Sequence, residues 1–224
     1  MRSPQLAEIE GRSLLAVPLG ATEQHGPHLP VDTDTVIAVE LCRRLADQVP
    51  NVVVAPAVPY GSSGEHAGFA GTLSIGQDAL ELLLVELVRS ADAFAGVVLV
   101  SGHGGNLESL RRAVRLLRSE RRRVLAWLPG GPADDSHAGR TETAVMLRVN
   151  PVDVDLAAAE PGNTEPLSDL IDRLRRCGVR AVSANGVLGD PTGAEAAGGM
   201  AILDCWTASL VEAVSAWVAE QNPR

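Results

Sequence analysis

The chain has 224 residues, 46% of them hydrophobic, with a formal charge of -9 and a pI near 5.0. That length supports one sizeable core and is short for two, so one domain over residues 1–224 is expected. The acidic balance argues against nucleic acid or an anionic membrane surface as partner, because both need a basic patch.

One basic cluster, Arg111, Arg112, Arg115, Arg118 and Arg121 to Arg123, reads as the solvated face and C-terminal end of a helix. Cys42, Cys177 and Cys205 show no CxxC spacing, lie within helical patterns and read as reduced core residues. Met1 to Arg12 is polar, with no signal-peptide character, and no apolar run approaches the length of a membrane span. A soluble, cytoplasmic protein is expected.

Leu14 to Leu19 is an apolar run that reads as a buried strand. It leads into Gly20-Ala-Thr-Glu23-Gln-His25-Gly-Pro-His28-Leu-Pro-Val-Asp32-Thr-Asp34. Residues two apart in an extended segment point the same way, so Glu23 and His25 can converge on one point. Asp34, in the first turn of a helix over residues 34–47, can return to it. Oxygen and imidazole ligands without a thiol suit a hard or borderline divalent ion, although a loop of solvated polar residues has the same composition.

Val52 to Ala55 is a short β-branched run, followed by the turn-rich Pro59 to His66. Leu80, Leu83, Leu84, Leu87 and Val88 give a helix from about Gln77 to Phe94, ended by Gly96. Val97 to Val100 is wholly apolar, as a strand covered on both faces would be. It enters Ser101-Gly-His103-Gly104-Gly105-Asn106, then a helix with a stripe of Leu107, Leu110, Ala113, Val114 and Leu117. Val124 to Leu128 reads as a fourth strand, and a short helix ends near Leu147. The alternation predicts an α/β fold, a mostly parallel sheet with helices on both faces.

In the last third, Pro166 to Cys177 reads as a helix stopped by Gly178. Asn185 to Pro191 has no clear period. Thr192-Gly-Ala-Glu195 is a capping-box pattern for a long closing helix with Leu203, Trp206, Leu210, Val214 and Trp217 on its buried side.

All five histidines, His25, His28, His66, His103 and His137, fall in turn-rich segments. In a doubly wound sheet such segments gather at the carboxyl ends of the strands, where ligands bind. The chain has no complete GxGxxG, no GK[ST], no GxSxG elbow and no HExxH. A site assembled from several loops remains.

The segments Gly20 to Pro30, Asp32-Thr-Asp34, Ser101 to Asn106 and His137-Ala-Gly-Arg-Thr-Glu142-Thr resemble the creatininase family of metal-dependent amidohydrolases, whose fold is a layered sandwich. Tyr60 to His66, Phe69 to Ile75, Pro161-Gly-Asn163 and Gly186 to Pro191 resemble the branch found in mycofactocin gene clusters. That resemblance implies a peptidase releasing a modified C-terminal Val-Tyr dipeptide from a ribosomally made precursor. A creatininase-like hydrolase of creatinine or another small amide is the alternative.

The resemblance further implies two divalent ions, Zn2+, Fe2+ or Mn2+, per chain. Glu23 and His103 would bind one and His25 the other, with Asp34 between them. The founding enzyme has an acid where this chain has Gly105, so the fifth ligand is assigned to Glu142, which is also a candidate catalytic group. His137 is the expected general acid. His66, Gly104, Gly105 and Asn106 are expected to line a roomy substrate site. A homo-oligomer, a ring-like hexamer, is also implied.

Overall fold

The computed structural model describes residues 13–220, so the polar opening from Met1 to Arg12 lies outside the described residues. Four parallel strands, β1 (Leu14–Leu19), β2 (Val52–Val54), β3 (Gly96–Ser101) and β4 (Val124–Trp127), lie in the order β2-β1-β3-β4. The helices are α1 (Thr33–Gln48), α2 (Gln77–Arg89), α3 (Leu107–Ser119), α4 (Arg140–Val149), α5 (Leu167–Cys177) and α6 (Ala196–Glu220).

The period of two along each strand divides the apolar residues between two cores. Leu14, Ala16, Val98 and Val100 face Ile37 and Leu41 of α1, Val145 of α4 and Leu203 and Leu210 of α6. Val17, Leu19, Val97 and Leu99 face Leu80 and Leu84 of α2 and Leu110 and Leu117 of α3. Every residue of β3 is buried, as the unbroken apolar run predicts. Truncating Leu99 to alanine would cost about 2–5 kcal/mol.

Chain winding places the site. The β1-α1-β2 unit moves to one side of β1, and the next crossover returns past it to β3 on the other. Winding therefore reverses between β1 and β3, and the carboxyl ends of those strands flank a natural crevice. The N-terminus of α1 wedges into it, because a β-carbon on Gly20 would lie 2.0 Å from Thr35 Oγ1 and one on Gly102 2.3 Å from the Asp34 carbonyl oxygen. Glycine at both positions admits the close approach that carries Asp34 inward.

Four expectations need correction. Of the three cysteines expected in the core only Cys42 is buried, while Cys177, at the end of α5, and Cys205, on the outer side of α6, are exposed. The helix expected to reach Phe94 stops at Arg89: the Ser90 hydroxyl donates to the Leu87 carbonyl, and residues 91–94 close into tighter turns. The capping box ahead of α6 does not form, since the Thr192 hydroxyl donates to Asp190 instead. And α6, at 25 residues, is long and apolar enough by composition to cross a membrane. Here Leu203, Trp206, Leu210, Val214 and Trp217 point into the core at helical spacing.

Candidate metal centre

Beyond β1 the extended chain turns Glu23 and His25 inward, both fully buried. Asp34, in the first turn of α1, spans the two sides of the site. Its Oδ1 lies 3.3 Å from His25 Nε2, and its Oδ2 lies 3.3 Å from Nδ1 of His103, which follows β3. Glu23 Oε2 is 3.2 Å from His103 Nε2, and its Oε1 is 3.3 Å from His66 Nε2 and 3.7 Å from His137 Nδ1. Glu142, in the first turn of α4, brings Oε2 to 3.9 Å from His25 Nε2.

The turn carrying His137 is held from two directions. His137 exchanges backbone hydrogen bonds with Leu188, and its Nε2 donates to the Gln24 carbonyl at 2.8 Å. Ala138 takes φ +51°, a conformation that costs a non-glycine residue about 1–3 kcal/mol. From there its N–H donates to Glu142 Oε2 at 2.6 Å and so fixes that carboxylate. The Gln24 amide donates to His66 Nδ1 at 2.8 Å and to the Gly186 carbonyl at 3.1 Å. His66 is thereby left with its proton on Nε2, toward Glu23.

Burial and crowding redistribute protons across the cluster. Burial and the Asp34 charge push Glu23 up to about 7, against the pull of His103 and His25. Burial likewise pushes Glu142 up to about 7. His25 is raised to about 10, because Asp34, Glu142 and Glu23 outweigh its desolvation. Burial, with the charges of His25 and His66, holds His137 well below its ordinary value. Burial and the His103 and His25 charges lower His66 to about 3.

Three overlapping groups bring potential ligand atoms within 4.8 Å of one another: Glu23, Asp34 and His103; His25, His137 and Glu142; Glu23, His66 and His137. Both Glu23 carboxylate oxygens and Asp34 Oδ2 are buried with no hydrogen-bond partner. Each such orphan costs about 1–3 kcal/mol, and more when charged. A divalent cation among nitrogen and oxygen donors is the partner whose chemistry fits.

Of the residues singled out in the sequence, Glu23, His25, Asp34, His66, His103, His137 and Glu142 come together. Asn106 does not serve as a substrate contact. It is fully buried, its Nδ2 donating to the Gly20 carbonyl and Ser101 Oγ while its Oδ1 accepts from the Ser62 N–H. It brackets the ends of β1 and β3 to the loop after β2. Gly104 faces open space, but the space beside Gly105 is filled: a β-carbon there would meet Glu65 Oε1 at 2.3 Å. The expected roominess holds at one glycine of the pair. His28 braces α4 through Thr143 Oγ1 at 2.8 Å. Gln24 and Glu65 were missed. Gln24 lies between two inward-facing residues, where alternation would turn it away, and only the adjacency of Glu65 to His66 hinted at its place.

A model described as creatininase, creatinine amidohydrolase, matches residues 1–214. The chain belongs to the creatininase family. The mycofactocin precursor peptide peptidase of Mycolicibacterium smegmatis is 49% identical to this creatininase-family chain over 216 residues, 93% of this chain and 87% of the relative. A solved structure described as creatininase Mn superposes with a TM-score of 0.76 at 25% identity, covering 99% of this chain and 95% of that one. A mutant creatininase of Zn-Zn type gives 0.73 at 25% identity, over 95% and 92% of the two chains. The creatininase fold thus extends across the layered sheet and the buried cluster at its switch point.

Proposed function

We propose that this chain is a metal-dependent peptidase that releases a modified C-terminal Val-Tyr dipeptide from the mycofactocin precursor peptide. The observation that carries the reading is the buried, unpartnered set of Glu23 and Asp34 oxygens, on a chain 49% identical to a peptidase of that precursor.

Glu23, Asp34 and His103 would hold one divalent ion, and His25, Asp34 and Glu142 a second. Oxygen and imidazole donors accept Zn2+, Fe2+ and Mn2+ alike. When bound, such ions lower the pKa of water and polarise the carbonyl of the scissile amide.

The chain's own residues supply the proton path. The sequence leads to the expectation of a near-neutral general acid at His137, but burial and its histidine neighbours hold it neutral at rest. With Nε2 donating to the Gln24 carbonyl, its free lone pair is on Nδ1, facing Glu23. It would therefore first accept a proton from the attacking water and then deliver it to the departing amine, acting as base and acid in turn. Gly104 leaves open space beside His103 for a peptide backbone. With only 3% aromatic residues, the chain offers little to stack on a small planar ring.

Creatinine hydrolysis is the second reading, favoured by the description of the family model. To separate the two, metal-loaded protein is incubated with modified precursor, unmodified precursor and creatinine. Dipeptide release from the modified precursor, followed by mass, is expected; creatinine turnover without peptide cleavage would reverse the order.

A further inference from the structure

We propose that Glu65 is a positioning residue for His103, a carboxylate that backs the imidazole from the side opposite Asp34 and tunes one of the two proposed metal positions. The inference rests on the metal reading above and adds to it a residue outside the proposed ligand set.

Three groups from two stretches of chain, the loop of Ser62 and Glu65 and the turn of His103, meet at one point. A β-carbon on Gly105 would lie 2.3 Å from Glu65 Oε1, 2.4 Å from His103 Nε2 and 2.5 Å from the Ser62 carbonyl oxygen. Any side chain at position 105 would have to displace one of them. Glycine here admits a second carboxylate to the far edge of the His103 ring.

The ring's own hydrogen bond indicates what that carboxylate does. His103 Nε2 donates to the Ser62 carbonyl at 3.0 Å, which leaves the lone pair on Nδ1, the nitrogen 3.3 Å from Asp34 Oδ2. Glu65 Oε1 stands 3.7 Å from the protonated Nε2. Glu23 Oε2 is nearer, at 3.2 Å, but it is out of line with the N–H and has no hydrogen-bond partner. The Ser62 carbonyl fixes the tautomer, and a carboxylate charge beside the same N–H makes the other nitrogen a stronger donor; losing an outer partner of a ligating imidazole costs about 10–100-fold in metal affinity.

Glu65 is also held in place. It sits in a 3-10 turn, Gly64–His66, and Gly178, at φ +75°, packs so closely that a β-carbon would lie 2.8 Å from the Glu65 carbonyl oxygen. Arg180 donates to the Gly68 carbonyl at 2.6 Å, tying the same loop to the segment after α5. That part of the chain, for which the sequence offered no role, thus supports the loop that carries Glu65.

The test uses Glu65→Gln, which keeps size and hydrogen-bonding ability but removes the charge. Ion affinities are measured by chelator competition, and coordination by the absorption spectrum of the Co2+-substituted protein. One ion should bind about 10–100-fold more weakly, the other as in wild type, with the Co2+ coordination number kept. Glu65→Asp should recover part of the loss. Unchanged affinities in a wild type and variant that both load two ions would overturn the role of Glu65 alone. Outright loss of one ion with a changed coordination number would make Glu65 a ligand and overturn the positioning role. A wild type that takes up no ion would overturn the metal reading beneath it.

Discussion

Gly102 lies directly against Asp34: a β-carbon on the glycine would stand 2.3 Å from the aspartate's carbonyl oxygen. The end of β3 and the first turn of α1 are therefore in backbone contact, and the position of the Asp34 carboxylate follows from the absence of a side chain next door. Gly102→Ala should push the α1 terminus outward. The expected result is a loss of about 1–3 kcal/mol in denaturant unfolding together with weaker metal uptake. Unchanged values for both would mean that the contact relaxes without moving Asp34.

Glu142 approaches only the His25 side of the cluster, at 3.9 Å. Glu142→Gln should accordingly weaken one ion and spare the other, as read by stepwise chelator titration. Because the amide oxygen introduced by this substitution can still accept from the Ala138 N–H, the fold should persist. Equal weakening of both ions would place Glu142 elsewhere in the scheme.

The pH dependence of the metal-free protein follows from the direction of the shifts. Glu23 and Glu142 are raised to about 7, His25 to about 10, and His103 also lies above its ordinary value. Each holds its proton more firmly folded than unfolded, so each favours the fold below its unfolded pKa and loses that contribution as pH rises through the folded one. The lowered histidines, His28, His66 and His137, act in the opposite sense, but their contribution is complete once pH exceeds the unfolded value of 6.5. Between pH 6.5 and about 10 the raised groups dominate, and chelator-treated protein should become steadily less stable. Metal affinity should rise over the same interval, since ligands must shed those protons. A flat unfolding profile from about pH 6.5 to about 9.5 would contradict these protonation states.

His137→Ala tests the proton carrier. The variant should retain its metals and lose about 10²–10⁴ in rate. Lost metal would make His137 a ligand, a role open to it by distance in two of the three candidate groups. Full activity with full metal would reduce it to a brace on Gln24.

The sequence is most legible where local pattern and tertiary role coincide. The buried β1 and β3 runs, the i, i+3, i+4 stripes of α2 and α3, and glycine- and histidine-rich turns after strands announce both the sheet and the edge on which the site lies. Glu23, His25, Asp34 and His103 were legible for that reason. Glu65 was not, because its place depends on a contact with Gly105 across about forty residues of chain that no periodicity reports. Asn106 misled because an amide near a candidate metal-binding histidine has the same sequence signature whether it faces substrate or brackets backbone. Residues 151–191 were hard to read because they include short 3-10 turns, Pro151–Asp153, Leu156–Ala158 and Val179–Ala181, too brief to show a hydrophobic period. The helix between them was legible, but the left-handed helical stop expected at Gly178 is not what forms: the glycine takes φ +75° with ψ 175°, an extended turn open only to glycine.

The central claim is that Asp34 joins two metal positions, one carboxylate oxygen toward His25 and the other toward His103. Elemental analysis of wild type and Asp34→Asn, both purified without chelator and reloaded with Zn2+, tests it most directly. Two ions per chain in wild type, with both weakened together in the variant, is the predicted result. No more than one ion in wild type, or a variant that keeps two ions at wild-type affinity, would contradict it.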